Sequence, residues 1–318
     1  MKNFLNPYLG SFFLCSALIL IGILSGDPYL MTVLTFAGLN ALSALSLSLL
    51  MGLAGQISLG HNGFYGLGAY LSAIFFLHLK IPVILSILLS AGIASLFSIF
   101  LAIPALRLKG HYLAVATLAF GEIVYLLLNE WGPGGPSGFG NIPRISLGSF
   151  VLSSSQAYLI LIWSLFFIFF VFSLNLSKST YGKTLKALHN SEIALKTLGI
   201  NLFTLKLKIF ALSAFITALS GALYAHYVTF LSPATFSVFY SILILMMVMI
   251  GGLHNLWGAI LGALFITFLP EILRVFKEYD ILIYGTILTL GLLFFRKGLV
   301  YPFERLIYGS YSGSKKSQ

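Results

Sequence analysis

The feature that most constrains this chain is a series of long apolar segments that recurs along nearly its whole length. A helix needs about 20 apolar residues to cross the hydrocarbon core of a bilayer. Only 8% of the 318 residues are charged and the mean hydropathy is +1.01, whereas a soluble domain carries about 25% charged residues. We therefore predict an all-α polytopic membrane protein. The composition excludes a cytosolic enzyme, a disordered chain and a disulfide-rich secreted domain.

About ten transmembrane helices are predicted, within a range of 8–10, and residues 1–318 are treated as a single transmembrane domain. The spans lie near residues 8–25, 29–51, 63–79, 82–105, 111–129, 156–176, 207–229, 237–251, 256–272 and 279–295. We interpret the first run as a span and not as a signal peptide, because further spans follow at once. Gly and Pro within several runs favour broken or re-entrant segments, which are stable only beside protein or a water-filled cavity.

The basic residues predict the orientation of these spans. If the chain begins in the cytoplasm, most of the 18 lysines and arginines fall inside, as cytoplasmic loops of membrane proteins require. The inside set is Lys2, Arg107, Lys109, Lys178, Lys183, Lys186, Lys196, Lys206, Lys208, Arg296, Lys297, Arg305, Lys315 and Lys316; the outside set is Lys80, Arg144, Arg274 and Lys277. Both termini are therefore expected in the cytoplasm, including a tail at 297–318.

Two longer loops differ in character. The segment 130–155 is predicted to be periplasmic, and its Gly and Pro residues indicate turns. The segment 177–206 is predicted to be cytoplasmic and to contain one amphipathic helix at about 183–198. Ser179 or Thr180 can cap this helix and Gly199 can end it. Its partial apolar stripe consists of Leu185, Leu188, Ala194, Leu195 and Leu198, with Lys183, Lys186, Lys196 and Glu192 mostly off the stripe.

Polar residues inside the apolar regions are the candidates for a functional site. Gln56, Ser58, His61 and Asn62 fall within seven residues of a glycine-rich stretch between two spans. This stretch is either an element of a translocation pathway or a tightly packed segment whose polar groups bond internally. Glu122 lies within the run 113–129, and a carboxylate inside a membrane is costly enough to suggest function. The alternative is a carboxylate that lies near the outer interface or that is bonded to Ser and Thr of another span.

Signals for catalysis and cofactor binding are missing from the sequence. Gly182-Lys183-Thr184 imitates the end of a nucleotide-binding loop, but Ser177 stands where that loop needs Gly and no strand precedes it. The six histidines do not pair at ligand spacing, and the single cysteine, Cys15, lies in an apolar run. We expect a chain that is not an enzyme and that binds no cofactor, metal or nucleic acid.

Two motifs together resemble a known family. One is Gly55-Gln56-Ile57-Ser58-Leu59-Gly60-His61, and the other is the cytoplasmic run from Tyr181 to Asn201. The cytoplasmic run is similar to the loop by which permeases of ABC importers dock on their ATPase subunits. The stretches 111–122 and 249–258 are also similar to branched-chain amino acid permeases. The resemblance extends over roughly residues 30–295, although urea and other amide permeases share much of it, so an ABC permease for urea, amides or another amino acid is the alternative.

The resemblance implies the permease subunit of a type II ABC importer for leucine, isoleucine and valine in the bacterial inner membrane. Such a complex has two ATPase subunits that bind ATP with Mg²⁺, a homologous second permease or a second copy of the same chain, and a periplasmic solute-binding protein. ATP-driven alternating access would act through the helix at 183–198. The implied ATPase-coupling residues are Lys183, Leu185, Leu188, Glu192, Ala194, Leu195, Leu198 and Gly199.

Three alternatives remain open from the residues alone. An ion-coupled secondary transporter would use Glu122 as a proton carrier and would need no soluble partner. A membrane-embedded enzyme is disfavoured, because no cluster of Asp, His or Cys is present. The amphipathic helix could also lie on anionic lipid instead of docking on a protein.

Overall fold

A computed structural model of the chain describes residues 7–108, 110–147, 150–273, 285–286, 289–290 and 298–299. These residues form helices joined by short loops, with one very small hairpin. The helices are α1 (Pro7–Ser25), α2 (Pro28–Ser48), α3 (His61–Leu77), α4 (Val83–Ala105), α5 (His111–Trp131), α6 (Ser155–Lys178), α7 (Thr180–Asn190), α8 (Glu192–Thr197), α9 (Leu202–Val228), α10 (Val238–Gly251) and α11 (Leu256–Leu273). A π-helical turn (Leu49–Leu53) extends α2, and 3₁₀ turns occupy Gly135–Ser137 and Pro233–Phe236.

The helices confirm a polytopic membrane protein. Seven of those in the described ranges are long and apolar enough to cross a bilayer: α1, α2 with its π-helical turn, α4, α5, α6, α9 and α11. Between them lie α3 and α10, which have 17 and 14 residues. The total of about ten spans stays a prediction, because 279–295 and the tail at 297–318 fall outside the described residues except at a few positions.

Side-chain caps start several of the helices. Asp27 accepts a hydrogen bond from the Tyr29 N–H at 2.9 Å, and Pro28 opens α2 at a position where no N–H is needed. Ser154 caps α6 through the Ala157 N–H at 3.1 Å. Asn201 caps α9 through the Thr204 N–H at 3.2 Å. These local bonds explain why the helices begin close to the predicted edges.

The centre of the bundle is built from α2, α3 and α9, while α1 packs on its outside against α6. Small residues let the central helices approach closely: a Cβ atom at Gly68 would lie 2.0 Å from the Ala218 backbone oxygen. Hydroxyl groups add bonds between helices, as where Ser220 donates to the Leu39 carbonyl at 2.8 Å. Close packing and such bonds hold membrane helices together because lipid supplies little hydrophobic driving force between them.

Loops gather at two opposite ends of the bundle. At one end, the 130–155 segment meets the connection between α9 and α10, where Phe139 and Leu231 pair through their backbones and His226 Nδ1 donates to the Pro143 carbonyl at 2.7 Å. This segment also forms the hairpin β1 (Ser146–Leu147) and β2 (Phe150–Val151), the exception to the all-α class in the described chain.

At the other end, the α2–α3 loop, the α7–α8 region and the α10–α11 turn lie together. Successive helices therefore end alternately at the two ends of the bundle, as a chain that crosses a membrane repeatedly requires. Which end faces the cytoplasm stays a prediction from the charge distribution.

The single helix predicted at 183–198 is wrong in one respect, because the segment is split into α7 and α8. Ser191 is extended, with φ −159° and ψ 107°, and its side chain accepts from the Ala194 N–H at 3.3 Å. A serine that caps a new helix stops the preceding one. The expected caps at Ser179 and Gly199 are confirmed, since Ser179 accepts from the Gly182 N–H at 3.1 Å and Gly199 has φ +73°.

Candidate functional site

The polar stretch between α2 and α3 is buried, and His61 is held on both sides of its ring. Its Nε2 lies 2.9 Å from Ser213 Oγ, and its Nδ1 lies 3.2 Å from Ser58 Oγ. The single hydroxyl proton of Ser213 is donated to the Ser46 carbonyl at 2.9 Å. Ser213 must therefore accept from His61, which assigns the proton to Nε2 and leaves Nδ1 to accept from Ser58.

Asn62 joins α3 to α10 and to the 3₁₀ turn before it. Its backbone N–H donates to Ser241 Oγ at 2.9 Å, and Ser241 Oγ donates back to Asn62 Oδ1 at 2.8 Å. Its amide nitrogen donates to the Phe236 carbonyl at 3.0 Å. Ser58, His61 and Asn62 are therefore internally satisfied, as in the packing interpretation of this stretch.

Gln56 differs from its neighbours. Its side chain is 3% exposed, and neither its amide nitrogen nor its amide oxygen has a hydrogen-bond partner among the described residues. Leaving such a group buried and unpaired costs about 1–3 kcal/mol. Gln56 lines a cavity of about 350 Å³ at the end of the bundle where the α2–α3 loop meets the α7–α8 region. His189, Glu192 and Lys206 line the same cavity. Within this stretch, Gln56 is therefore the residue whose side-chain donor and acceptor bond to none of the described residues.

Glu122 lies in the middle of α5 and is partly exposed. It makes no hydrogen bond or ion pair with any residue that the structure describes. The helical spacing of three and four residues aligns it with the exposed side chains of Val115, Ala119 and Leu126. The structure thus places the carboxylate on an outward stripe of α5, away from the bonded cluster at His61 and Asn62.

The α7–α8 region packs against the chain's own bundle through three leucines of the predicted apolar stripe. Leu185, Leu188 and Leu195 were expected to form a face for a partner, yet they are 0%, 3% and 4% exposed and belong to the core. Apolar periodicity marks the buried side of a helix but not the molecule that buries it. These leucines fasten the region to the helix bundle.

Polar contacts fasten the same region. Glu192 forms an ion pair with Lys206 of α9 at 2.5 Å. The Tyr181 hydroxyl donates to the Leu205 carbonyl at 3.0 Å, and burial raises the pKa of Tyr181, so the hydroxyl keeps its proton. Glu192 therefore helps to hold α8 against α9, and its predicted role in ATPase coupling stays a prediction.

The outward surface of the region contains both predicted and unpredicted residues. Ile193 is 78% exposed and Leu198 is 73% exposed, and Lys183, Ala194 and Gly199 are also exposed. Sequence reasoning missed Ile193, because it lies off the leucine stripe. It also missed Ser213 and Ser241, which resemble ordinary small residues of membrane helices. Their distance in sequence from His61 and Asn62 left no local signal.

The chain is similar to one protein family and to several members of it. A family described as the branched-chain amino acid transport system permease component matches residues 29–295. The high-affinity branched-chain amino acid transport system permease proteins LivM of Salmonella typhimurium and Escherichia coli K12 are each 30% identical over 299 residues, which is 86% of this chain and 70% of theirs.

A third relative is less similar. The probable branched-chain amino acid transport permease protein LivM of Methanocaldococcus jannaschii is 25% identical over 202 residues, which cover 61% of this chain and 57% of that protein. No solved structure matches the chain.

Proposed function

The chain belongs to the family of branched-chain amino acid transport permeases, and we propose that it is the membrane-spanning subunit of an ATP-driven importer of leucine, isoleucine and valine. Its apolar helices support a role as a path through the membrane. The energy source has to be supplied by partners, because the sequence lacks a nucleotide-binding loop. The partners that this requires are two ATPase subunits that bind ATP and Mg²⁺.

The complete importer also needs a second permease and a solute-binding protein. We infer a homologous second permease or a second copy of this chain, with a solute-binding protein on the periplasmic side. The inferred location is the bacterial inner membrane, with both termini in the cytoplasm. The lysines of 177–206 support this orientation, since cytoplasmic loops are enriched in basic residues.

The observation that carries the ATPase proposal is the outward surface of α8. Ile193 and Leu198 expose large apolar side chains, while the leucines beside them are buried in the bundle. An exposed apolar pair on a firmly held element is suited to insertion into a groove on a partner protein. Lys183 and Lys196 are exposed on the same region and can pair with acidic groups on that partner.

The proposed translocation pathway uses Glu122 and the stretch that contains Gln56. A carboxylate that faced lipid would be costly, so the α5 stripe around Glu122 is better placed against water or the second permease. There the carboxylate can attract the ammonium group of an amino acid. Ser58, His61 and Asn62 position the α2–α3 junction, and the unpaired amide of Gln56 is the group of that junction free to bind a polar ligand.

An uptake experiment tests this function against the ion-coupled alternative, in which Glu122 carries protons. Proteoliposomes should contain this chain, its second permease and the ATPases, with the solute-binding protein outside and ATP inside. We expect uptake of radiolabelled leucine that stops when the nucleotide-loop lysine of the ATPases is replaced. Uptake driven by a proton gradient without ATP would contradict the proposal. If urea competed with leucine and isoleucine and valine did not, the proposed substrate class would be wrong.

A further inference from the structure

We propose that His189 is a positioning residue that links the ATPase-facing α8 to two loops at the same end of the bundle, the α2–α3 loop and the α10–α11 turn. The proposal rests on the proposed function, since it concerns how ATPase motion reaches the membrane helices. His189 lies in the last turn of α7, two residues before Ser191, where the chain breaks between α7 and α8. A displacement of α8 therefore acts first on the turn that carries this ring.

The first contact of His189 is with the loop between α2 and α3. A Cβ atom at Gly55 would lie 2.1 Å from His189 Nδ1, so the ring occupies space that only a glycine leaves free. Gly55 also has φ +65°, a conformation that other residues seldom adopt. The ring is thus seated directly on the backbone of the loop, where a shift of a few tenths of an ångström in α7 must move either the ring or the loop.

The second contact of His189 is with the turn between α10 and α11. The rings of His189 and His254 meet edge to face, with centroids 5.5 Å apart and an interplanar angle of 72°. Backbone packing also joins this turn to the π-helical end of α2, because a Cβ atom at Gly52 would lie 2.2 Å from the Leu253 carbonyl oxygen. His189 therefore touches the α2–α3 loop and a turn that packs on the helix end just before that loop.

Both loops lead to the same pair of residues. The α2–α3 loop continues from Gly55 into α3, which begins with His61 and Asn62. The α10–α11 turn follows α10, whose Ser241 exchanges two hydrogen bonds with Asn62. A movement of His189 is transmitted along both routes to one junction inside the bundle. Packed helices and loops transmit such shifts because their side chains cannot be compressed.

The region around His189 is anchored well enough to act as a lever. Leu188 and Leu195 are buried in the core on either side of the break, and Glu192 is paired with Lys206. The side chains of Ile193 and Leu198 are exposed, so a partner that binds them can displace α8. His189 itself is exposed, so its replacement removes the contacts with the loops without opening a cavity in the core.

The test compares the complete importer with and without His189→Ala. We expect the ATPases to stay bound and basal ATP hydrolysis to persist, while uptake falls about tenfold and more ATP is hydrolysed per leucine imported. His78→Ala is the matched control, since His78 is also exposed but follows the C-terminal end of α3, away from the end that the α2–α3 loop joins. An unchanged ratio of ATP to leucine would overturn the proposal, and so would dissociation of the ATPases, which would make His189 a docking residue.

Two further variants separate this role from a general effect on folding. His189→Phe keeps an aromatic ring and should recover part of the uptake that His189→Ala loses. His254→Ala should raise the ratio of ATP to leucine, and the double variant should add little to His189→Ala, because His189→Ala already removes the contact between the two rings. Fully additive effects would overturn the link to the α10–α11 turn. Loss of ATP-driven uptake in the parental complex would instead show that the proposed function itself is wrong.

Discussion

Asn62 and Ser241 exchange two hydrogen bonds although 179 residues separate them. The serine oxygen accepts from the Asn62 backbone N–H at 2.9 Å and donates to Asn62 Oδ1 at 2.8 Å. One hydroxyl thus satisfies a backbone donor at the start of α3 and a side-chain acceptor on the same residue. The pair joins the first turn of α3 to α10 inside the bundle.

Ser241→Ala should weaken this junction. It leaves a buried N–H and a buried amide oxygen without their partner, at a cost of about 1–3 kcal/mol. We expect a lower melting temperature of the purified chain and slower leucine uptake. Ser237→Ala is the control, because Ser237 precedes the same helix and makes no capping bond with its side chain. Equal melting temperatures for the two variants would show that the Asn62–Ser241 pair contributes nothing.

Glu122→Gln should impair transport and leave assembly intact. The substitution keeps the shape of the side chain but removes the negative charge that we expect to attract an ammonium group. Uptake should fall about tenfold or more, as for loss of a charged group from a binding path. Glu130→Gln, at the exposed end of the same helix, is the control. If uptake stays at the parental rate, Glu122 has only a structural role, and the proton-carrier alternative also loses its best residue.

Paired substitutions should distinguish the outward face of the α7–α8 region from its inward face. Ile193→Asp with Leu198→Asp puts charges on an exposed apolar pair, so the chain should accumulate normally and lose its ATPases during purification. Leu188→Asp with Leu195→Asp puts charges into the core, where each unpaired charge costs several kcal/mol. That variant should yield little folded protein. Retention of the ATPases by the first variant would argue for a face that lies on lipid.

Cysteine labelling should establish which end of the bundle faces the cytoplasm. The native Cys15 is buried, so the background from a polar maleimide should be low. In intact cells, we expect labelling from outside at Ser137→Cys and none at Lys196→Cys until the membrane is opened. Both positions are exposed in the structure, so accessibility depends on their side of the membrane. The reverse pattern would show that the α7–α8 region lies outside the cell, where it could not contact an ATPase.

The candidate site was predicted in part from sequence because some of its signals are local. The concentration of Gln56, Ser58, His61 and Asn62 within seven residues could be read directly. Their division into three bonded residues and one unpaired amide could not. It depends on Ser213 and Ser241, which reach the stretch from α9 and α10. Hydrogen bonds between distant parts of a chain leave no mark in the local pattern.

The apolar runs determined by themselves that this protein is a bundle of membrane helices, and they located α1 to α6 and α9 to α11 to within a few residues. They could do so because the bilayer imposes one length and one polarity on every span. The caps at Ser179 and Gly199 were readable for a similar reason, since each acts on adjacent backbone.

Only the tertiary structure decided which apolar residues of the 180–198 region are turned inward. The periodicity of Leu185, Leu188 and Leu195 predicts a face that must be covered, and it is the same whether the cover is a partner, lipid or the chain itself. The core of this chain covers it, which leaves Ile193 and Leu198 outside. The contacts of His189 with Gly55 and His254 likewise required the fold, because packing brings together segments that sequence separates.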